Sequence, residues 1–471
     1  METLSSPESK ANELHVDTIV ARATAVGPGA LGVVRLSGGE SVEIVQRLTS
    51  TRVGAIPDRT ASVLLLKNPS DQKTLDQAVV TVYRKPNSYT GEDVLEISCH
   101  GGSLIPELIL ECCLELGARM AEPGEFTRRA VLNGKMDLIQ AEAVQGLVEA
   151  TSRASHEASL YQLERGLSKL VEKIRTELIE LQASLASHID FPEEDEGPAD
   201  LADIVGSASR LEGSLETLLA NSPEGELLKE GALVVLAGPP NSGKSSLYNK
   251  LLGQDRAIVS EVPGTTRDAI EAAVALEGFP FRLVDTAGIR ASSDSVEQLG
   301  VEVAKDRLGK ADLIVFCLEA GATESEEVRE FLAKLKDVPL VLLRTKSDLQ
   351  SSKKEALPGR TTLAPTMVLE VSSVDNTGIP ELRRLLPRLV YSGLVKTGVS
   401  VPLLLQRRQI KAVGLARDHV KNFIREVRSG VPIELACVRL QSAEGCLEEL
   451  TGTLCLEEVL DSLFASFCIG K

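Results

Sequence analysis

Residues Gly238-Pro239-Pro240-Asn241-Ser242-Gly243-Lys244-Ser245 constrain this chain more than any other stretch. They fit G-x-x-x-x-G-K-[ST], the spacing of a loop that cradles nucleotide phosphates. The apolar run from 233 to 237 reads as a buried parallel strand, and 246–252 reads as a helix. In that strand–loop–helix setting, backbone N–H groups and the helix N-terminus face an anion. Lys244 can reach the outer phosphates, and the Ser245 hydroxyl can ligate Mg²⁺. The glycines let the backbone approach without a Cβ in the way.

Four further elements follow, each after an apolar run. Gly264-Thr265-Thr266-Arg267-Asp268 places Thr266 to close over a γ-phosphate and complete the Mg²⁺ shell. The run from 281 to 284 delivers Asp285-Thr286-Ala287-Gly288, a D-x-x-G element in which Asp285 would hold Mg²⁺ through water and the Gly288 N–H would sense the γ-phosphate. A strand over 338–343 ends at Thr345-Lys346-Ser347-Asp348, where N-K-x-D is usual. Asp348 can accept two hydrogen bonds from guanine that adenine cannot offer. A strand over 367–371 leads to Ser372-Ser373-Val374, where S-A-x is usual. Together they predict a Ras-like α/β P-loop GTPase domain over 231–392. Ile289 follows the D-x-x-G element where many GTPases place a water-orienting Gln. That task must then fall elsewhere, and the polar stretch 290–300 offers Asp294, Glu297 and Gln298.

Length, 471 residues, allows two to four domains. Residues 17–135 mix short apolar runs with turns and predict an α+β domain: 33–36 and 79–83 read as strands and 104–116 as a helix. From 136 the period lengthens. Leu160, Leu163, Leu167, Leu170, Ile174, Leu178, Leu181 and Leu185 predict one long amphipathic helix, ending at Phe191-Pro192. A further helix is expected over 201–219. Helical periodicity returns after the nucleotide domain at Ile410, Val413, Ala416, Val420, Phe423, Ile424 and Val427, and at Val459, Leu460, Leu463, Phe464 and Phe467. This predicts a discontinuous α-helical domain, 136–230 with 393–471, into which the P-loop domain is inserted.

A net charge of −17 argues against a non-specific polyanion binder. Any RNA contact must use local basic patches, and Arg128, Arg129, Arg407, Arg408 and Lys411 are the candidates. The eight cysteines form no C-x-x-C pair, which fits reduced thiols in a cytoplasmic protein better than zinc or disulfides. No run of 18 apolar residues exists, so no membrane span is expected. Residues 1–16 show neither a signal-peptide core nor an Arg-rich presequence and read as a disordered tail.

The whole chain from about residue 16 resembles the MnmE (TrmE) family of tRNA modification GTPases. The resemblance rests on Asp17-Thr18-Ile19-Val20-Ala21, on Gly91-Glu92-Asp93-Val94-Leu95-Glu96 with His100-Gly101-Gly102, and on Pro123-Gly124-Glu125-Phe126. It continues through Asp190-Phe191-Pro192 to Phe467-Cys468-Ile469-Gly470-Lys471. It implies a potassium-dependent GTPase that pairs as a homodimer. With an FAD-containing MnmG-like partner, in a heterotetramer, it would add a (carboxymethyl)aminomethyl group to C5 of wobble uridine in certain tRNAs. The carbon would come from a 5-formyl- or 5,10-methylene-tetrahydrofolate. By resemblance, Asn241, Ser260, Val262 and Thr265 hold K⁺, Ser245 and Thr266 hold Mg²⁺, and Glu297 orients the water. GTP is then expected against Asn241 to Ser246, Ser260, Glu261, Val262, Pro263, Gly264, Thr265, Thr266, Asp285 to Gly288, Thr345, Lys346, Asp348 and Ser372 to Val374 (within these, Ser242, Gly243, Lys244, Thr286, Ala287 and Ser373). Folate is expected at Arg35, Glu96, Lys135 and Lys471, with Cys468 a candidate for direct chemistry beside Glu297, Asn241 and Lys244. Where the family often has His after an Arg pair, this chain has Gln409. The rival reading is a ribosome-assembly, RNA-binding GTPase of the Era or Der type. Against it stand a single nucleotide domain and the lack of a G-x-x-G loop in a KH-like setting.

Overall fold

Alternation of buried and exposed residues in the first third, and unbroken apolar strands in the middle, separate two kinds of sheet. The structure, a computed structural model, describes residues 17–190, 201–253, 271–285, 308–322, 328, 338–349, 367–453 and 457–470. The expected tail at 1–16 lies outside the described residues. The chain divides into two compact units, Met1–Ala141 with Glu448–Lys471, and Glu142–Leu447.

The first unit is built on a six-stranded sheet in the order β3-β4-β5-β2-β1-β6. Its strands are β1 (Ile19–Arg22), β2 (Leu31–Ser37), β3 (Ala61–Lys67), β4 (Thr74–Tyr83), β5 (Val94–His100) and β6 (Arg119–Met120). All neighbours run antiparallel except β1 with β6. One face carries Val34, Leu36, Leu66, Val80, Val82, Leu95 and Ile97 onto the helices Ser41–Thr49 and Leu104–Glu115. The C-terminal segment belongs to the same unit: Leu460, Phe464 and Phe467 pack on Leu138 and Ala141.

The second unit holds a six-stranded sheet in the order β12-β11-β10-β7-β9-β8. The strands are β7 (Ala232–Ala237), β8 (Glu271–Leu276), β9 (Phe279–Asp285), β10 (Leu313–Glu319), β11 (Leu340–Thr345) and β12 (Met367–Glu370). Only the β8–β9 pair is antiparallel. Central β7 is buried along its whole length, as a strand covered on both faces must be. Tyr391 pins this sheet to the helices beside it. Its ring stacks on Phe279 at 4.9 Å, and its hydroxyl, with one proton to give, is within hydrogen-bonding distance of the carbonyls of Pro280 at 2.7 Å and Leu227 at 3.0 Å.

The predicted long helix is two helices, Arg153–Leu163 and Gly166–Asp190. Arg165 between them is left-handed, φ +66°, which stops a helix. Gly166 then passes so close to Tyr161 that a Cβ there would lie 2.2 Å from its ring. The apolar stripe continues across the break because only two residues intervene, so periodicity alone could not reveal it. Leu201–Ala220 and Arg407–Arg428 form as expected and pack on each other. Gln409 is fully buried at the start of Arg407–Arg428. It completes a capping box with Gln406, and its amide donates to Glu142 Oε2 at 2.7 Å.

Candidate functional site

The phosphate loop leaves the end of β7, between β9 and β10, where the strand order reverses direction in an open α/β sheet. Three left-handed backbone angles shape it: Gly238 at φ +140°, Asn241 at +60° and Gly243 at +84°. At Gly238 a Cβ would sit 2.2 Å from the Cys317 carbonyl oxygen, so no other residue fits without moving β10. Asn241 occupies its angle because its short polar side chain tolerates that region. Helix Lys244–Leu252 begins at once after Gly243. The Lys244 ammonium is buried across the loop and donates to the carbonyls of Gly238 at 2.9 Å and Pro239 at 2.7 Å.

Parallel register sets Asp285, the last residue of β9, beside Leu236 of β7. There Asp285 Oδ2 accepts a 2.7 Å hydrogen bond from the Ser245 hydroxyl. A hydroxyl and a carboxylate converging in this way are hard oxygen donors of the kind Mg²⁺ takes. The two expected Mg²⁺ arms thus meet across 40 residues of sequence.

The T-K-S-D segment lies at the end of β11. The Thr345 hydroxyl is within hydrogen-bonding distance of the Ser242 carbonyl, 2.7 Å, and the Leu318 carbonyl, 3.1 Å. This side chain therefore ties the phosphate loop to β10 and β11. Lys346 is left-handed, φ +57°, and pairs with Glu319 at 2.8 Å. Ser372 is fully buried and donates to Asp348 Oδ1 at 2.7 Å, while its oxygen accepts from the N–H of Val374 at 3.2 Å. Its hydroxyl fixes the carboxylate expected to read guanine. No local signal in the sequence ties Thr345 to Ser242 or Ser372 to Asp348, because each pair meets only through the sheet. Ser246 and Val374 are exposed. Ser260 to Thr266, Thr286 to Gly288, Glu297 and Lys471 lie outside the described residues.

In the first unit, β2 and β5 set Arg35 directly opposite Glu96. The guanidinium reaches Glu96 Oε1 at 2.7 and 2.9 Å and also donates to the Gly470 carbonyl at 3.0 Å. It lies over the rings of Tyr89 and Phe126, at 5.9 and 5.7 Å from their centroids, in cation–π range. Gly470 is seated tightly: a Cβ there would be 2.4 Å from the Arg22 carbonyl oxygen. Arg35, Glu96 and the C-terminal segment are thus brought together. The Lys135 ammonium donates instead to the Pro86 carbonyl at 2.9 Å. Cys468 is exposed, and its carbonyl accepts from the Gly124 N–H at 3.3 Å.

Four of the five basic residues expected to meet RNA already face carboxylates, and among the described residues Lys411 does not. Arg129 is 2% exposed and is enclosed by Asp17, Glu92 and Glu125 at 2.7, 3.2 and 2.9 Å. Burial works to raise the Glu125 carboxyl, but hydrogen bonds from Arg119, from the Glu122 N–H and from Arg129 outweigh it and hold the group below the usual carboxylate range. The neighbouring Arg128 is ion-paired with Asp461 at 3.0 Å. Arg408 is spent on the buried Glu142 at 2.8 Å. Arg407 is exposed but paired with Glu226 and Glu230. A sequence shows which arginines exist, not which carboxylates already face them.

Residues 18–135 match the family model described as the GTP-binding protein TrmE N-terminus, and residues 138–468 match the MnmE helical domain. A curated protein of Thermotoga petrophila, named tRNA modification GTPase MnmE, is 39% identical over 458 residues, covering 97% of this chain and 100% of that protein. The protein of the same name from Moorella thermoacetica is 39% identical over 468 residues, 97% of this chain and 99% of its own length. That from Clostridioides difficile is 38% identical over 457 residues, with the same two coverages. Among solved structures, Aquifex aeolicus Era aligns at 23% identity over 40% of this chain and 66% of its own, with a TM-score of 0.27.

Proposed function

The chain belongs to the MnmE family of tRNA modification GTPases, and on that premise we propose that its GTP hydrolysis serves the modification of C5 of wobble uridine in tRNA. The observation that carries the reading is the meeting of Ser245 and Asp285 at the mouth of a phosphate loop closed by Gly238. Backbone N–H groups of Ser242 to Ser245 and the Lys244 ammonium would hold the β- and γ-phosphates. Among its contacts Lys244 donates to the carbonyls of Gly238 and Pro239. A phosphate oxygen would accept a charge-assisted hydrogen bond from the same ammonium. Ser245 and Thr266 would ligate Mg²⁺, which when bound neutralises charge on the phosphate oxygens. Asp285 would orient that shell, and Asp348, steadied by Ser372, would select guanine.

The finer assignments follow the family. Asn241, Ser260, Val262 and Thr265 would seat K⁺ in place of an arginine finger, and Glu297 would position the water that Ile289 cannot. Arg35 and Glu96, with Lys135 and Lys471, would hold a tetrahydrofolate. Glu96 suits a pterin amino group, and a cation suits the glutamate carboxylates. An FAD-containing MnmG-like protein would complete the reaction in the cytoplasm. Homodimerisation is supported by an exposed apolar strip on the outer face of the first sheet. Val63 (64% exposed) stands directly opposite Val79 (37% exposed), with Leu65 and Leu31 also exposed. No helix among the described residues is long and apolar enough to cross a membrane. The test is mass spectrometry of wobble nucleosides from cells lacking this protein. Loss of C5-modified uridine is expected, and an unchanged nucleoside profile would overturn the reading.

A further inference from the structure

Helix Arg407–Arg428 carries seven basic side chains and two acidic ones in a chain of net charge −17. Its apolar face, Ala412, Val413, Ala416, Val420, Phe423, Ile424 and Val427, is buried. On the other side Lys411, Lys421, Arg425 and Arg428 are all exposed. At 3.6 residues per turn they fall within an arc of about 100° and extend over about 26 Å of helix. Neither acid of the helix is left to neutralise them. Asp418 is held by Arg417 at 2.8 Å, and Glu426 by Arg439 at 2.9 Å. Among the described residues, none of the four basic side chains makes a hydrogen bond or ion pair, whereas Arg407 and Arg408 on the same helix are both committed to carboxylates.

We propose that Lys411, Lys421, Arg425 and Arg428 form a ladder that takes the phosphate backbone of structured RNA, namely the tRNA substrate; this rests on the tRNA reading of the preceding subsection. Four unpartnered cations held along one rigid edge are a sequence-independent phosphate contact. The helix cannot lie in a membrane surface, because the apolar face such binding needs is already buried in the unit. Nor does the arc offer the aromatic anchor that marks most protein-binding hot spots. The ladder positions RNA and leaves base selection to other groups.

The experiment measures binding of unfractionated tRNA to the full chain by fluorescence anisotropy over a potassium chloride series. The combined Lys421→Ala, Arg425→Ala and Arg428→Ala variant should lose about two to three units of the log–log salt slope, and affinity near 0.1 M salt should fall at least about tenfold. GTP turnover without RNA should stay at the wild-type rate, which shows that the variant is folded. A charge-preserving variant, Lys421→Arg with Arg425→Lys and Arg428→Lys, should keep the slope. So should a control lacking the exposed Lys169 and Lys173 on helix Gly166–Asp190. A wild-type slope in the alanine variant overturns the ladder, as does loss of a protein partner with RNA binding intact. The nucleoside assay separates the two readings. If cells lacking the protein keep the wobble modification, the tRNA reading itself fails; if they lose it and the alanine variant binds tRNA normally, only the ladder fails.

Discussion

Replacing Thr345 by Val removes one hydroxyl and keeps the side-chain shape. In the structure that hydroxyl is 4% exposed as part of its residue and faces two carbonyls, Ser242 at 2.7 Å and Leu318 at 3.1 Å. It carries one proton, so the shorter contact, to the phosphate loop, is the one chiefly made. Losing a buried hydrogen bond and leaving its acceptor unpaired costs about 1–2 kcal/mol. If the loop surrenders that order until nucleotide binds, the whole cost falls on affinity, a weakening of about 5- to 30-fold. The assay is titration with a fluorescent GDP analogue, with GTP and ATP as competitors. The preference for GTP over ATP should not change, because Asp348 is held separately by Ser372 at 2.7 Å. Thr345→Asn should bind as tightly as wild type, since an amide offers two protons to the two carbonyls. GDP affinity within twofold of wild type for Thr345→Val would refute the idea that this residue braces the loop.

Asn241→Gly keeps the left-handed backbone at φ +60° and deletes only the amide. Nucleotide binding should persist, while the faster turnover expected in potassium than in sodium should vanish; a retained potassium effect would release Asn241 from ion binding. Glu297→Ala should still bind GTP but turn it over about 100-fold more slowly, a single-turnover measurement in which an unaltered rate clears the residue. Glu96→Ala should weaken 5-formyl-tetrahydrofolate at least about tenfold in calorimetry, the worth of a hydrogen bond to a charged group. No binding heat in the wild-type protein would count against the Arg35–Glu96 site.

The residues of the phosphate-loop motif are local, and so they were legible. An eight-residue spacing between an apolar strand and a helix dictates the phosphate loop, because few backbones satisfy Gly238, Gly243 and the helix start together. Strand order along the chain likewise announced the nucleotide domain; Arg35 and Glu96 were singled out only by family resemblance, and the register of β2 and β5 is what sets them face to face. Helix Arg407–Arg428 followed from its apolar period, and helix Leu104–Glu115 was also read directly from the sequence. The break at Arg165 did not, since a two-residue interruption preserves the stripe on both sides.

Tertiary structure decided everything that depends on which group faces which. Arg128, Arg129 and Arg408 read in sequence like free cations, yet each meets a carboxylate that folding places beside it. Lys411, Lys421, Arg425 and Arg428 look no different on paper and meet none among the described residues. Ser245 finds Asp285, Thr345 finds the Ser242 carbonyl, and Ser372 finds Asp348 across 40, 103 and 24 residues. Sequence spacing governs a hydrogen bond only within a turn or a helix. Beyond that, register between strands sets the distance, and distance sets the chemistry.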